Sequence, residues 1–284
     1  MTVSMDDMKS GAVTVVASVS GGKDSAAMCL YLRELGIEPV RVFADTGWEH
    51  AAAYEYLRGP LTDALGPIHE VRGDLLMRDL IVKYQMFPSR LRRYCTRELK
   101  IKPLARFFKA IEGEAVNCVG IRAAESESRS RFPEWEWSDA FDCETWRPLL
   151  RWSEQDVIDI HARHGLTPNP LYLRGASRVG CWPCIHARKE EVRLIADIDP
   201  ARIDEIAALE AELSASAKSR DADATPRTFF QGQASTTPIG EVVAWSRTAR
   251  GGKQLQLIQT APEGCARWGL CDVAKDEDPP GAVG

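Results

Sequence analysis

VTVVASVSGGKDSAAMCLYLREL, residues 13–35, sets a strand, a glycine turn and a helix in direct succession. Val13 to Val19 is short, apolar and β-branched, the pattern of a strand buried in a parallel sheet. Asp24 to Leu35 has helical spacing and stops at Gly36. The joint between them is Ser18-Val19-Ser20-Gly21-Gly22-Lys23-Asp24-Ser25. Two adjacent glycines let the chain turn tightly and aim successive N–H groups into one concavity, a nest for phosphate oxygens. The helix behind adds the positive end of its dipole. Lys23 brings a mobile charge, and Ser20 and Ser25 bring hydroxyl donors. Asp24 stands where it can cap free N–H groups or help hold a magnesium ion. This is not a Walker A loop, because Lys23 is followed by Asp24 and not by Ser or Thr.

Outward from that joint, strand and helix patterns alternate. Pro39 to Ala44 reads as a strand, and Glu49 to Arg58 as a helix closed by Gly59-Pro60. Ile68 to Val71 reads as a third strand and Asp74 to Tyr84 as a third helix. Thr96 to Ile111 is helical with an interruption at Pro103, and Ala115 to Ile121 is a fourth strand. The rhythm predicts an α/β fold: a doubly wound parallel sheet with helices on both faces, followed by a smaller helical and irregular C-terminal region. Arg122 to Cys143 is charged, Trp-rich and without period, and reads as a substrate-facing loop. Ser153 opens a helix with Asp156 at the capping-box position. Two helices split at Asp199-Pro200 fill 190–218, a polar linker is expected over 214–225, and a short helix over 239–248. The expected division is a flexible N-terminus (1–11), a nucleotide-binding domain (12–189), the C-terminal region (190–272) and a disordered tail (273–284).

Composition narrows the function classes. With 44% hydrophobic and 27% charged residues, the chain has the balance of a globular protein. No run approaches the roughly 18 apolar residues of a membrane span, and no apolar stretch marks a signal peptide. A cytoplasmic location without membrane contact is expected. Lys and Arg number 36 against 41 Asp and Glu, a net charge of −5, which excludes a general polyanion binder. Any nucleic-acid contact must be a local patch, and Arg90, Arg92, Arg93, Arg97, Lys100 and Lys102 offer one.

Three further segments carry chemistry or a plain structural role. Ala44-Asp45-Thr46-Gly47-Trp48-Glu49 follows the second strand, so Asp45 is expected beside the phosphate loop at the carboxyl edge of the sheet. Gly120-Ile121-Arg122-Ala123-Ala124-Glu125-Ser126-Glu127-Ser128-Arg129 follows the fourth strand, and Arg122 and Arg129 are positioned to reach phosphate or sulfate oxygens. Arg147 to Asp156 reads as a strand leading into a capped helix, with a structural role.

Together these motifs resemble the phosphoadenosine phosphosulfate (PAPS) reductase domain family of the PP-loop ATP pyrophosphatases. The loop is similar to the SGGKDS signature at every position. The family includes sulfonucleotide reductases, a sulfate adenylyltransferase subunit and the ATP pyrophosphatase of DNA phosphorothioation. The DTGWE element and Pro148-Leu149-Leu150-Arg151-Trp152-Ser153-Glu154-Gln155-Asp156 look like the adenylyltransferase subunit, and Tyr94-Cys95-Thr96-Arg97-Glu98-Leu99-Lys100 looks like the reductases. The resemblance spans about 13–189. It implies a nucleotide site of Ser18, Ser20, Gly21, Gly22, Lys23, Asp24, Ser25, Asp45, Thr46, Gly120, Arg122, Glu125 and Arg129, with Lys23, Asp45 and Arg122 in the catalytic roles. Sulfonucleotide reductases generally carry a degraded loop. The intact loop here favours ATP and Mg2+, with pyrophosphate released.

Eight cysteines without an export signal suggest metal or thiol chemistry over disulfides. Cys181-Trp182-Pro183-Cys184 is a CxxC, and Arg178, His186, Arg188 and Lys189 surround it with positive charge, which favours acidic thiols. Cys95 upstream of a CxxC resembles the reductases' iron–sulfur arrangement, although the second cysteine that pairs with it there is missing. That resemblance implies a [4Fe–4S] cluster on Cys95, Cys181, Cys184 and Cys271, with Cys265 the alternative fourth ligand. A Zn2+ site remains open, as does no metal at all. The C-terminal segment around Cys265 and Cys271 is expected to fold back over the crevice. Cys29 and Cys118 read as buried apolar residues, Cys143 is undecided, and His161 and His164 read as surface or capping residues.

Three functions follow as expectations. The first is an ATP pyrophosphatase that adenylates a substrate for sulfur incorporation, possible on a nucleic acid and served by a sulfur-donor or electron-donor protein. The second is a PAPS reductase. The third is a nucleotide-sensing subunit of a larger oligomer or complex, with the tryptophans of 135–152 as a partner surface.

Overall fold

Six strands form one sheet in the order β3-β2-β1-β4-β6-β5. The computed structural model describes residues 3–230, 236–249 and 264–268. In chain order the elements are α1 (Met5–Ser10), β1 (Thr14–Val19), α2 (Lys23–Glu34), β2 (Val40–Asp45), α3 (Ala51–Tyr56), α4 (Thr62–Leu65) and β3 (Ile68–Arg72). Then come α5 (Met77–Tyr84), α6 (Tyr94–Thr96), α7 (Lys102–Lys109), β4 (Ala115–Val119), α8 (Glu127–Ser130), β5 (Trp135–Ser138) and β6 (Cys143–Trp146). The rest are α9 (Glu154–Arg163), α10 (Pro170–Leu173), α11 (Lys189–Ile198), α12 (Pro200–Arg220) and α13 (Ile239–Ser246). β1 pairs in parallel with β2 on one side and β4 on the other, so the chain changes direction across the sheet at β1. In a doubly wound sheet the crevice at that reversal is where ligands lie.

The expected α/β sheet is present, and several local expectations are corrected. The N-terminus is not loose over 4–10. Ser4 and Asp7 cap α1 reciprocally, and Met8 is buried against the main core. The helix after β2 does not stop at Gly59-Pro60. It passes through a wide turn over Leu57–Leu61 and resumes as α4. A wider turn tolerates a residue that has no N–H to donate. A similar wide turn over Arg97–Ile101 precedes α7, with Pro103 in its first turn. The Trp-rich segment is not merely a loop: β5 pairs antiparallel with β6 as an edge strand. There Trp135 stacks on Trp146 at 5.3 Å and 9°, a cross-strand pair that aperiodic sequence does not announce. The proposed linker is also helical in its first part, because Leu213 and Ala217 bury one face of α12 to its end. Ile206, Leu209 and Leu213 of α12 pack with Trp48, Met77, Ile81 and Phe87, so the C-terminal helices share a core with the elements after β2.

Candidate nucleotide and thiol site

The turn after β1 takes its shape from Gly21, whose φ of +72° is left-handed, and from Gly22, which begins α2 in extended conformation. Ser25 Oγ accepts from the Ser20 N–H at 3.2 Å and donates to the Gly22 carbonyl at 2.9 Å, locking the loop onto the first turn of the helix. Asn169 Nδ2 donates to the Gly21 carbonyl, and the Lys23 N–H donates to the Tyr172 hydroxyl at 3.0 Å. The Lys23 side chain is 7% exposed. Its ammonium donates to the Ser177 carbonyl at 3.3 Å, lies 3.4 Å from Glu154 Oε1 and stands over the Tyr172 ring. The ammonium is thus a buried cation beside the loop, held by carboxylate and carbonyl oxygens.

Asp24 does not cap α2. It pairs with Arg122, which is itself buried, and so ties the end of β4 to the phosphate loop. Gly120 makes that approach possible: a Cβ there would stand 2.6 Å from the Asp24 carbonyl oxygen. Gly120→Ala is therefore expected to destabilise the fold by about 1–3 kcal/mol through overpacking. A denaturant midpoint equal to wild type would refute the contact. Glu125 accepts from the Arg122 N–H and pairs with Arg129, which lies on the exposed α8. Arg122 thus reaches the loop, whereas Arg129 is engaged by Glu125.

At the end of β2, Asp45 is 2% exposed, and both of its oxygens are engaged. Oδ1 accepts from the Gly47 N–H at 2.8 Å and the Tyr54 hydroxyl at 2.6 Å, and Oδ2 from Arg72 Nε at 2.7 Å. Thr46 donates to Glu49 at 2.8 Å, and Glu49 also lies 2.9 Å from the Tyr54 hydroxyl. Asp45 and Glu49 therefore share one phenol.

The segment after α10 carries the CxxC across this crevice. Val179 O would lie 3.4 Å from a Cβ on Gly22, and Cys181 forms a bridge with Glu49. The Trp182 N–H donates to the Trp48 carbonyl at 2.8 Å. Cys95, Cys181 and Cys184 interact electrostatically with one another and with Lys100, and Arg178 acts on Cys181 and Cys184. The Lys100 pKa is raised, chiefly by Cys181 and then by Glu49, Cys184 and Cys95, against the opposing effect of burial. The expectation of acidic thiols is corrected. Burial pushes Cys181 up to about 11 and raises Cys95, outweighing the cations nearby. Three thiols and a buried cation suit a thiolate-ligated cluster in kind. Yet among the described residues no group of three or more His, Cys, Asp or Glu is spaced to hold a metal ion. Cys271 lies outside the described residues. The short turn Gly264–Trp268 does return to the phosphate-loop side, where Trp268 packs on His161 and Tyr172 and Arg267 reaches Glu154.

The matching family model is that of the phosphoadenosine phosphosulfate reductase domain, over residues 14–187. The chain belongs to that family. A protein of Escherichia phage 186, described as an uncharacterized 37.8 kDa protein in the gpa 5'region, is 32% identical over 305 residues. The match covers 86% of this chain and 91% of the phage protein. Adenosine 5'-phosphosulfate reductase of Allochromatium vinosum is 29% identical over 182 residues, 61% of this chain and 69% of that enzyme. A solved PAPS reductase from Candida auris, a phosphate complex, aligns with a TM-score of 0.46 at 16% identity, over 64% of this chain and 97% of that one.

Several residues that contact the loop carry no mark in the sequence. Tyr172, Asn169 and Ser177 reach the loop from far along the chain, and no local pattern marks them. Glu49 and Lys100 lie inside sequence motifs, but that they point inward is decided by packing. His161 is corrected outright. It is 1% exposed, donates through Nδ1 to the Val157 carbonyl at 2.7 Å and packs beside Trp268. His164 instead pairs with Glu34 near the surface, Cys143 is buried, and Cys29 and Cys118 are buried as expected. The basic patch also divides. Lys100 points to the thiols, and Arg97 and Lys102 pair with Glu98. Among the described residues no helix is long and apolar enough to cross a membrane.

Proposed function

We propose that this chain binds ATP at the Ser20–Ser25 loop and transfers its adenylyl group to an acceptor oxygen, releasing pyrophosphate, to prepare that acceptor for sulfur chemistry. The observation that carries the reading is the intact loop, with its left-handed Gly21 and the buried Lys23 ammonium beside it. The acceptor oxygen attacks the α-phosphorus, the bond to the bridging oxygen breaks, and the electron pair leaves with pyrophosphate. The chain's task in that step is positioning and charge neutralisation. Lys23 and the N–H groups of the loop hold the leaving phosphates, and the incoming oxygens displace Glu154 and Ser177 from the ammonium. Arg122, fixed by Asp24, adds a second cation. Asp45 holds the floor beside the nucleotide through Tyr54 and Arg72. ATP enters as its magnesium complex. Anaerobic incubation with α-labelled ATP and separate assays for pyrophosphate and AMP test the reading. No pyrophosphate release with any acceptor refutes it.

The second reading, reduction of an adenylyl sulfate, is favoured by the likeness to adenosine 5'-phosphosulfate reductase and by the gathered thiols. It requires sulfite and AMP from adenylyl sulfate, with two thiols becoming a disulfide. The iron–sulfur proposal stands with either reading. Anaerobically purified protein is expected to be brown, with absorption near 400 nm (about the usual position for thiolate-ligated clusters), and to lose colour in Cys181→Ser or Cys184→Ser. Colourless protein with stoichiometric zinc would replace it.

A further inference from the structure

A second polar cleft, of about 390 Å³, opens away from the phosphate loop, between the ends of α5 and α12. Its cations are Arg92, Arg220 and Arg227, and its one carboxylate is Asp221. None of the three arginines forms an ion pair among the described residues. Arg92 has only the Met86 sulfur, at 3.6 Å, and Arg220 has only the Gln85 amide oxygen, at 3.3 Å. Arg227 Nε is buried with no hydrogen-bond partner. Buried N–H donors of native proteins are nearly always satisfied, so an orphan on a cationic wall marks a place where an acceptor from outside belongs. Two helices end here, and their C-terminal dipoles account for an arginine in the last turn of α12. They do not account for Arg92 and Arg227, which arrive from two separate loops.

The fourth wall is Tyr84, 37% exposed, with its ring 4.7 Å from that of Tyr94. Tyr94 adjoins Cys95 in sequence, so the cleft and the thiol crevice are joined by two packed rings. On the same side, Arg90 and Arg93 also lack carboxylate partners among the described residues, and both act electrostatically on His186 beside the CxxC. Between them Leu91 is 97% exposed. Unpaired guanidinium groups together with an exposed ring match a ligand that alternates phosphate with a planar base.

We propose that this cleft is a phosphate-binding subsite, built to hold a phosphate of a nucleotide chain whose continuation runs along Arg90 and Arg93 toward the thiols. Its walls at α12 and Arg227 lie beyond the segment matched by the family model. The proposal does not rest on adenylation, and pyrophosphate release is not its readout. The test is fluorescence anisotropy with a labelled 20-nucleotide single strand at low salt, repeated across a salt series and with inorganic phosphate as competitor. Wild type is expected to bind. Arg92→Ala, Arg220→Ala and Arg227→Gln should each weaken binding on the order of tenfold, and each lost phosphate contact should lower the log–log salt slope by about 0.7. Arg92 and Arg220 are at the surface, so those variants stay informative if Arg227→Gln fails to fold, which thermal melting reports. Phosphate binding that depends on these arginines, without strand binding, identifies a small phosphorylated ligand as the source. Binding of neither probe, or strand affinity unchanged in all three variants, overturns the subsite.

Discussion

Lys23→Ala is expected to lower pyrophosphate release on the order of a hundredfold or more, with an unchanged circular dichroism spectrum. The ammonium is buried beside the loop, and its protein partners are the Ser177 carbonyl, Glu154, which is 40% exposed, and Asp24 at 4.0 Å. Glu154, which water also reaches, keeps Arg267 as a partner, and Asp24 keeps Arg122, so losing the ammonium strands neither carboxylate. Removing a preorganised cation from the place where phosphate charge develops costs several kcal/mol of transition-state stabilisation. Pyrophosphate release at the wild-type rate would remove the loop from the mechanism.

Asp45→Ala should fail in both stability and turnover. One buried carboxylate accepts from the Gly47 N–H, the Tyr54 hydroxyl and Arg72. Hydrogen bonds to a charged group contribute about 1.5–3 kcal/mol each, and Arg72, half exposed, regains water when its partner is lost, so a net loss of about 3 kcal/mol is expected. Glu49 then keeps Tyr54 alone, and the strand end beside the nucleotide loosens. Asp45→Asn retains an acceptor for Tyr54 and should lose less stability than alanine. Urea denaturation and the pyrophosphate assay, run on both variants, check the order. Equal stability of wild type and Asp45→Ala would show that this hub is dispensable.

The strand-turn-helix joint was legible because its requirements are local. A phosphate nest needs glycines and a helix start within a few residues, and Gly21 at φ +72° meets that need from the sequence itself. The capped start of α9 at Ser153 and Asp156 and the break at Asp199-Pro200 were legible for the same reason. Gly59-Pro60 misled, because a wide helical turn absorbs a proline that an α-turn rejects. His161 misled for a different reason: a histidine on a helix reads as exposed until Trp268, over a hundred residues later, covers it.

By itself, then, the sequence determined the alternating parallel sheet, the phosphate loop and the residue types that gather at the carboxyl edge. Each of these follows from short-range backbone geometry and hydrophobic period. The tertiary structure alone decided which charges are available. Arg122 was buried against Asp24, 98 residues away, and Lys100 was directed at three thiols, whereas Arg129, Arg97 and Lys102 met carboxylates within four residues of themselves. Arg92, Arg220 and Arg227 were left together in one cleft. The physical reason is that a charge is settled by its nearest opposite charge in space. For Arg122, Lys100 and the cleft arginines those neighbours come from segments far apart in the chain, which only packing around the sheet brings together.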